Sequence, residues 1–349
     1  MKPYFSVIVS IYNKKKLIDK GINLLLNQSF KNFEIIIIND GSSDGTYRIL
    51  EYLKNYDFRI RIFHQENKGL GNARNRGIKL SKGEYLCFFD IDDFVPYNWL
   101  QHIYDIIIKK NPEVLIYSYN EINLKIRTKN SFVFNDIEFK SNVEIKNGYV
   151  ENLSGIKFNN GFVWNKVYKR EFIINNKIFF PELRIQQDEV FNHEVYKNAE
   201  SIITTSDILY DYYIYEKNNS RKNFIPNRID IFIEILISFF NLCKFWDLKN
   251  DKLEEYIYLR FFSNIIYNRN PYNFNQKKLF FKELINSNEL TGAVLYIKKN
   301  IYNQLTFVDK IYLNSILNKS FKIFCGLEFY LWSLNILKSI YHKINLKFI

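Results

Sequence analysis

The chain has 349 residues, 47% of them hydrophobic, and its 49 Lys and Arg exceed its 37 Asp and Glu to give a formal net charge of +12. That hydrophobic share excludes a disordered chain, and the length admits one large domain or two ordinary ones with a sizeable core. The cationic surplus points to anionic partners: nucleic acid, an anionic membrane surface or phosphorylated substrates.

In chain order, Ser6 to Ile11 is a short β-branched run, and Leu17 to Leu26 carries apolar residues at helical spacing. Phe33 to Ile38 is a continuous apolar run, as a strand buried on both faces requires. It stops at Asn39-Asp40-Gly41-Ser42-Ser43-Asp44-Gly45, a dense turn signal. A helix is predicted over Thr46 to Asn55, a strand over Arg59 to His64 and a helix over Gly71 to Leu80. In that last helix Ala73 and Gly77 lie four apart and are small enough to sit close on a sheet. Glu84 to Phe89 reads as another buried strand, ending at Asp90-Ile91-Asp92-Asp93. Pro96 to Lys110 follows as a helix and Val114 to Tyr119 as a strand. This alternation predicts an α/β fold, a mostly parallel sheet with helices on both faces.

From 120 to 220 the signals are mixed. Trp164 to Ile173 reads as a turn plus helix, Asp188 to Tyr196 as a helix and Ile208 to Tyr215 as an edge strand. From about Ile225 the chain reads as helical. The cysteines Cys87, Cys243 and Cys325 lie far apart, so no disulfide framework is expected, which fits a reducing cytoplasm. Met1 to Phe5 runs directly into a strand, so no signal peptide is expected. No stretch has the roughly 20 uninterrupted apolar residues of a spanning helix, so a soluble or peripheral protein is expected.

Ligands of open α/β sheets bind at the carboxyl ends of the strands. Polar groups gather where the apolar runs stop: Ser10 and Tyr12, then Asp40, then Asp90, Asp92 and Asp93. Tyr12 can stack on a base, and Asp40 can accept a hydrogen bond from a ring N–H, which would select uracil. The acidic cluster stands out in a basic protein. Carboxylates this close repel one another, and a hard divalent ion bridging to a diphosphate removes the repulsion and stabilises charge on a leaving nucleotide. The bland alternative is an Asp-rich turn that caps the helix after Pro96.

Several blocks together resemble family 2 glycosyltransferases. They are Ser6-Val-Ile-Val-Ser-Ile-Tyr-Asn13, Asn27-Gln28-Ser29-Phe30 and Phe33-Glu-Ile-Ile-Ile-Ile-Asn-Asp-Gly-Ser-Ser-Asp-Gly-Thr46, followed by Asn67-Lys-Gly-Leu-Gly-Asn-Ala-Arg-Asn-Arg-Gly77 and Gly83-Glu-Tyr-Leu-Cys-Phe-Phe-Asp-Ile-Asp-Asp93. Their order and spacing are the family's and cover roughly residues 4 to 120. Position 10, often Pro in relatives, is Ser here. The resemblance implies a GT-A-like catalytic domain over 1–224, with a nucleotide-sugar half to about 120 and an acceptor half beyond it, then a helical domain over 225–349.

By the same resemblance Tyr12 and Asp40 would hold the uracil of a UDP-sugar, with Ser10 beside them. Asp90 would lie near the ribose, Asp92 would contact Mn²⁺ or Mg²⁺, and Arg74 would face the diphosphate or donor sugar. Inverting members need a base for the acceptor hydroxyl. In Gln186-Gln187-Asp188-Glu189-Val190-Phe191 the resemblance gives that position to Asp188, with Gln187 where Glu is usual. Glu189 is the rival, and a helix cap is the structural alternative for Asp188. Trp164-Asn165-Lys166-Val167-Tyr168 resembles an acceptor-side block in which Trp164 and Asn165 meet the acceptor or pack in the core. Tyr213 to Ser220 resembles the segment that closes over the diphosphate, with Lys217 or Arg221 as its cation.

The implied activity is transfer of a hexose or N-acetylhexosamine from a UDP-sugar to a glycan or lipid-linked glycan in surface polysaccharide, capsule or lipooligosaccharide synthesis. A catalytically silent relative that only binds a nucleotide sugar or a glycan is the alternative. A nucleic-acid partner is not expected, because the α/β half has no long basic cluster and its pocket is acidic. A nicotinamide enzyme is set aside because GxGxxG is missing after the first strand. His64, His102, His193 and His342 are scattered without ligand spacing.

Residues 321 to 345 place Phe324, Leu327, Leu331, Leu334, Leu337, Tyr341 and Ile344 on one helical face, and Lys322, Lys338, Lys343 and Lys347 outnumber Glu328. Such a helix lies on an anionic inner membrane surface, or it packs on neighbouring helices or a second subunit.

Overall fold

The computed structural model describes residues 2–154, 161–215, 228–267 and 273–324. Among them the chain divides into two compact units. The first comprises Met1–Asn218 with Ile237–Lys249, and the second comprises Asn219–Leu236 with Asn250–Ile349. The expected boundary near 224, the cations Lys217 and Arg221, and nearly all of the predicted 321–345 helix lie outside the described residues.

The first unit is built on a nine-stranded sheet. Its strands are β1 (Phe5–Ile11), β2 (Phe33–Asp40), β3 (Ile60–Gln65), β4 (Tyr85–Phe88), β5 (Val114–Asn123), β6 (Thr128–Phe132), β7 (Ile137–Phe139), β8 (Lys166–Lys169) and β9 (Ile202–Ile214). Their order is β3-β2-β1-β4-β8-β5-β9-β7, with β6 paired to β5. The β3-β2-β1-β4 block is wholly parallel. β8 then enters antiparallel to both β4 and β5, while β5 and β9 run parallel.

The apolar runs form the centre of this sheet, with every residue of β2 buried. Helices α1 (Ile18–Leu26), α2 (Thr46–Leu53), α3 (Leu70–Leu80) and α4 (Trp99–Lys110) alternate with the first strands, as the sequence pattern predicts. α3 packs on β1 and β2, and there the two small residues matter. Ala73 is buried with Ile36 and Ile38, and a Cβ on Gly77 would stand 2.4 Å from Ile8 Cγ2. The helix rests almost backbone-to-sheet at that point.

The middle of the chain departs from the prediction. Trp164 to Ile173 holds strand β8 before the short helix α6 (Arg170–Asn175). β9 is longer than predicted: it starts at Ile202, where β7 pairs with its first residues, while its predicted stretch from Ile208 has β5 on one side and only an isolated bridge from Phe94 to Asp211 on the other. β6 and β7 and helix α5 (Asn142–Gly148) were not apparent in the sequence. Helix α7 runs from Gln187 to Asn198, close to its predicted span, and the end of α8 (Arg228–Phe245) belongs to this unit.

The second unit is helical. α11 (Asn288–Asn300) packs on α9 (Asp251–Tyr267), α10 (Phe274–Asn286) and α12 (Phe307–Leu317). Asn273 and Gln276 form a capping box that fixes the start of α10. Phe324, the first apolar residue of the predicted amphipathic face, is buried against Phe281 and Tyr312. No helix of the described residues is long and apolar enough to cross a membrane.

Gly77→Ala should cost about 1–3 kcal/mol through overpacking against Ile8. Urea unfolding should show a lower midpoint with an unchanged slope.

Candidate active site

β1, β2 and β4 are parallel neighbours, so their carboxyl ends open at the same edge of the sheet. Ser10, Tyr12, Asp40 and Asp90 to Asp93 all stand there. Tyr12 is 50% exposed, leaving a ring face to solvent. Ser10 Oγ is buried without a hydrogen-bond partner among the described residues, so a polar ligand at this edge would satisfy it. The two loops are interlocked. Asn13 adopts a left-handed φ of 51°, its N–H donates to Ser42 Oγ at 2.9 Å, and its side-chain oxygen accepts from the Ser43 N–H at 2.8 Å.

Asp40 is largely committed to its own fold. Its carboxylate accepts from Gln65 Nε2 at 2.7 Å, from the Lys68 N–H at 2.9 Å and from the Gly69 N–H at 2.9 Å. It thereby ties β2 to the entry of α3. A carboxylate has about four lone-pair sites, so room remains for one further donor.

The acidic turn after β4 is closed by the Asp93 N–H donating to the Asp90 carbonyl at 3.0 Å. Each of its carboxylates has a different partner. Asp93 is buried, where its oxygens accept from Tyr210 Oη and the Tyr213 N–H, both at 2.9 Å. Burial, reinforced by the neighbouring Asp90, pushes its carboxyl well above the usual range. Asp92 Oδ2 meets Lys14 Nζ at 2.5 Å, and its carbonyl accepts from Tyr215 Oη at 2.8 Å. Asp90 Oδ1 accepts from Arg74 Nη2 at 3.1 Å. Ile91, between them, is seated on α1: a Cβ on Gly21 would lie 2.4 Å from its Cδ1 and 2.9 Å from its carbonyl oxygen.

Arg74 is 2% exposed and its other arm reaches Asp188 Oδ1 at 2.6 Å. One guanidinium therefore joins the end of β4 to the first turn of α7, and it stays charged because the two carboxylates outweigh the cost of its burial. Asp188 is the second residue of α7, whose N-cap is Gln186, itself left-handed at φ 57° and making no side-chain cap. Asp188 is thus not the N-cap, although the helix start still favours its negative charge. Burial pushes the Asp188 carboxyl upward while Arg74 opposes the shift and Asp90 adds to it. Buried Lys166 also acts on this carboxylate. Its ammonium donates to Asn165 Oδ1 and the Phe162 carbonyl, and burial pushes its own pKa well down. Glu189 does not share Arg74, and Gln187 Oε1 is buried without a partner among the described residues.

Trp164 is 2% exposed and Asn165 fully buried. The indole is stacked with Phe162 at 4.7 Å, Tyr210 at 4.6 Å and Tyr212 at 5.3 Å. The half-buried rings of this stack are Phe162 and Tyr212. Lys14, Gly21 and Tyr210 were missed as site components, whereas Tyr213 and Tyr215 fall at the start of the segment expected to close over the diphosphate. The signals of the missed three, a lysine run, one helical glycine and an aromatic strand, are ordinary in a sequence this rich in Lys and Tyr.

No group of three or more His, Cys, Asp or Glu among the described residues is arranged to hold a metal. Asp90 and Asp92 of the acidic turn are the residues that could offer oxygen donors to an ion. Oxygen donors of this kind would suit a hard Mg²⁺ or Mn²⁺ ion, with phosphate and water completing its shell.

Residues 6–173 match the family described as Glycosyl transferase family 2. GlyG of Streptococcus pneumoniae, a glycosyltransferase, is 33% identical over 222 residues, which are 61% of this chain and 71% of GlyG. EpsH of Bacillus subtilis is 32% identical over 216 residues, 61% of each chain, so the match spans less than two thirds of that relative. Among solved structures, S. aureus TarS 1-349 in complex with UDP-GlcNAc has a TM-score of 0.67 at 20% identity, covering 95% of this chain and 92% of that one. The fold, the motif order and these relatives together establish that the chain belongs to glycosyl transferase family 2.

Proposed function

We propose that the chain is an inverting, metal-dependent glycosyltransferase. It moves a hexose or N-acetylhexosamine from a UDP-sugar to a hydroxyl of a glycan or lipid-linked glycan, in building a bacterial surface polysaccharide, capsule or lipooligosaccharide. One observation carries the reading: the acidic turn after β4 and the carboxylate of Asp188 converge on a single buried guanidinium. Family membership and a TarS neighbour whose crystals contain UDP-GlcNAc support a nucleotide-sugar donor.

In this reading Tyr12 stacks on uracil and the remaining acceptor position of Asp40 takes its ring N–H. Ser10 lies beside them, and Asp90 faces the ribose. Asp92 holds Mn²⁺ or Mg²⁺, which when bound neutralises charge on the departing diphosphate. Asp188 takes the proton of the acceptor hydroxyl as that oxygen bonds to the anomeric carbon. The bond from that carbon to the diphosphate oxygen breaks on the opposite side, so the configuration inverts. Arg74 keeps the base ionised and aimed. The half-buried rings of Phe162 and Tyr212 form the acceptor wall, with the buried Trp164 and Asn165 supporting it from within, because sugar rings pack an apolar face on aromatic groups.

Asp188→Asn should lower kcat about 10²–10⁴-fold while leaving UDP-sugar affinity within a factor of a few. Glu189→Gln should leave kcat near the wild-type value; the reverse order would move the base to Glu189. Both are read in a Mn²⁺-supported UDP-sugar transfer or hydrolysis assay, and a silent relative would have no turnover to lose. Because burial raises the Asp188 pKa, kcat should fall as pH drops through a value above the ordinary carboxylate range. A pH–rate profile whose acid limb sits at or below about pH 4 would argue against an Asp188 base. A thermal-shift screen of nucleotide sugars should give a UDP-specific, Mn²⁺-enhanced shift that Asp92→Asn abolishes.

A further inference from the structure

Among the three carboxylates of the acidic turn, Asp92 differs in the kind of partner it has. Asp93 is bonded to a phenol and a backbone N–H inside the core. Asp90 is bonded to a forked guanidinium that is itself buried and held from the other side by Asp188. Asp92, by contrast, is paired with a primary ammonium at the cleft surface, where the Lys14 and Asp92 side chains are 27% and 22% exposed. An ammonium is a compact point charge on a flexible stem and exchanges partners more readily than a bidentate guanidinium.

The pair is nonetheless built rather than incidental. Lys14 sits between two backbone anchors to the loop after β2: Asn13, bonded to Ser42 and Ser43, and Lys15, whose N–H donates to Asp44 Oδ2 at 3.0 Å. The other side is equally fixed, because Tyr215 holds the Asp92 carbonyl and Gly21 admits Ile91. Its neighbour Lys15 takes a different course, its side chain lying against Gly45. Two rigid supports thus aim one lysine at one carboxylate.

We propose that Lys14 is a tethered counter-ion that holds the cation position of Asp92 until nucleotide and metal arrive together. The proposal rests on Asp92 being the metal ligand. A divalent ion alone must displace the ammonium and leave it without an anion. A divalent ion arriving with a diphosphate offers that ammonium a new anion within reach. Lys14 therefore weakens metal binding to the empty cleft and couples metal binding to nucleotide binding, and the coupling is reciprocal. It is a positioning residue, acting through Asp92 and the ion.

The test is Mn²⁺ binding followed by the EPR signal of free Mn²⁺, with and without UDP, for the wild type, Lys14→Met and Asp92→Asn. Methionine keeps the length of the side chain and removes its charge at a partly exposed position, so the fold should survive. Without UDP, Lys14→Met should bind Mn²⁺ about two- to fivefold more tightly than the wild type, as expected for loss of a competing, partly exposed ion pair. The enhancement of Mn²⁺ binding by UDP should shrink by at least the same factor. Equal Mn²⁺ affinity of Lys14→Met and wild type without UDP, with Asp92→Asn having lost binding, overturns the role of Lys14 and leaves the metal reading intact. Mn²⁺ bound as well by Asp92→Asn as by the wild type overturns the metal reading, and this inference with it.

Discussion

Arg74 is the point on which the cleft turns. Its guanidinium spans the end of β4 and the start of α7, two elements about a hundred residues apart in sequence. Removing it would leave Asp90 and Asp188 facing each other in a poorly solvated place, where like charges repel strongly. Its own position depends on α3 lying close to the sheet, which Ala73 and Gly77 permit. Asp40 pins the entry of the same helix through the Lys68 and Gly69 amides. A small-residue face, a pinned helix and a buried cation thus form one mechanical chain beneath the acidic turn and Asp188.

Much of this was legible in the sequence, for reasons that can be named. β2 and β4 are short apolar runs closed by turn residues, and buried parallel strands have just that signature. The acidic turn was legible because charges of one sign crowd an apolar strand end. What was not legible is pairing at a distance. Nothing in the sequence says that Arg74 meets Asp188 or that Lys14 meets Asp92, since Lys14-Lys15-Lys16 reads as a solvated charge run. β8 was missed because its four residues, Lys166-Val-Tyr-Lys169, are too few for a period-two pattern and run straight into the helical Arg170–Asn175. β6 is polar and exposed along most of its length, so it has almost no hydrophobic signal.

Trp164 illustrates how one residue type supports two readings. A tryptophan ahead of a strand can be a sugar platform or a core residue, and here it is the centre of a stack whose outer rings are Phe162 and Tyr212. The same stack includes Tyr210, whose hydroxyl reaches Asp93. The aromatic stack around Trp164 and the geometry of the acidic turn are therefore mechanically continuous.

The antiparallel entry of β8 between β4 and β5 bears on how the chain acquires this fold during synthesis. Strands β1 to β4 emerge early and can pair among themselves, but the far edge of β4 has no neighbour until residue 169 has left the ribosome. For some eighty residues of elongation a hydrophobic strand edge stands open, a state prone to mispairing with other chains. Only when β9 follows and pairs with β5 are the sheet and the aromatic stack around Trp164 both complete, so the half-made protein has no closed core.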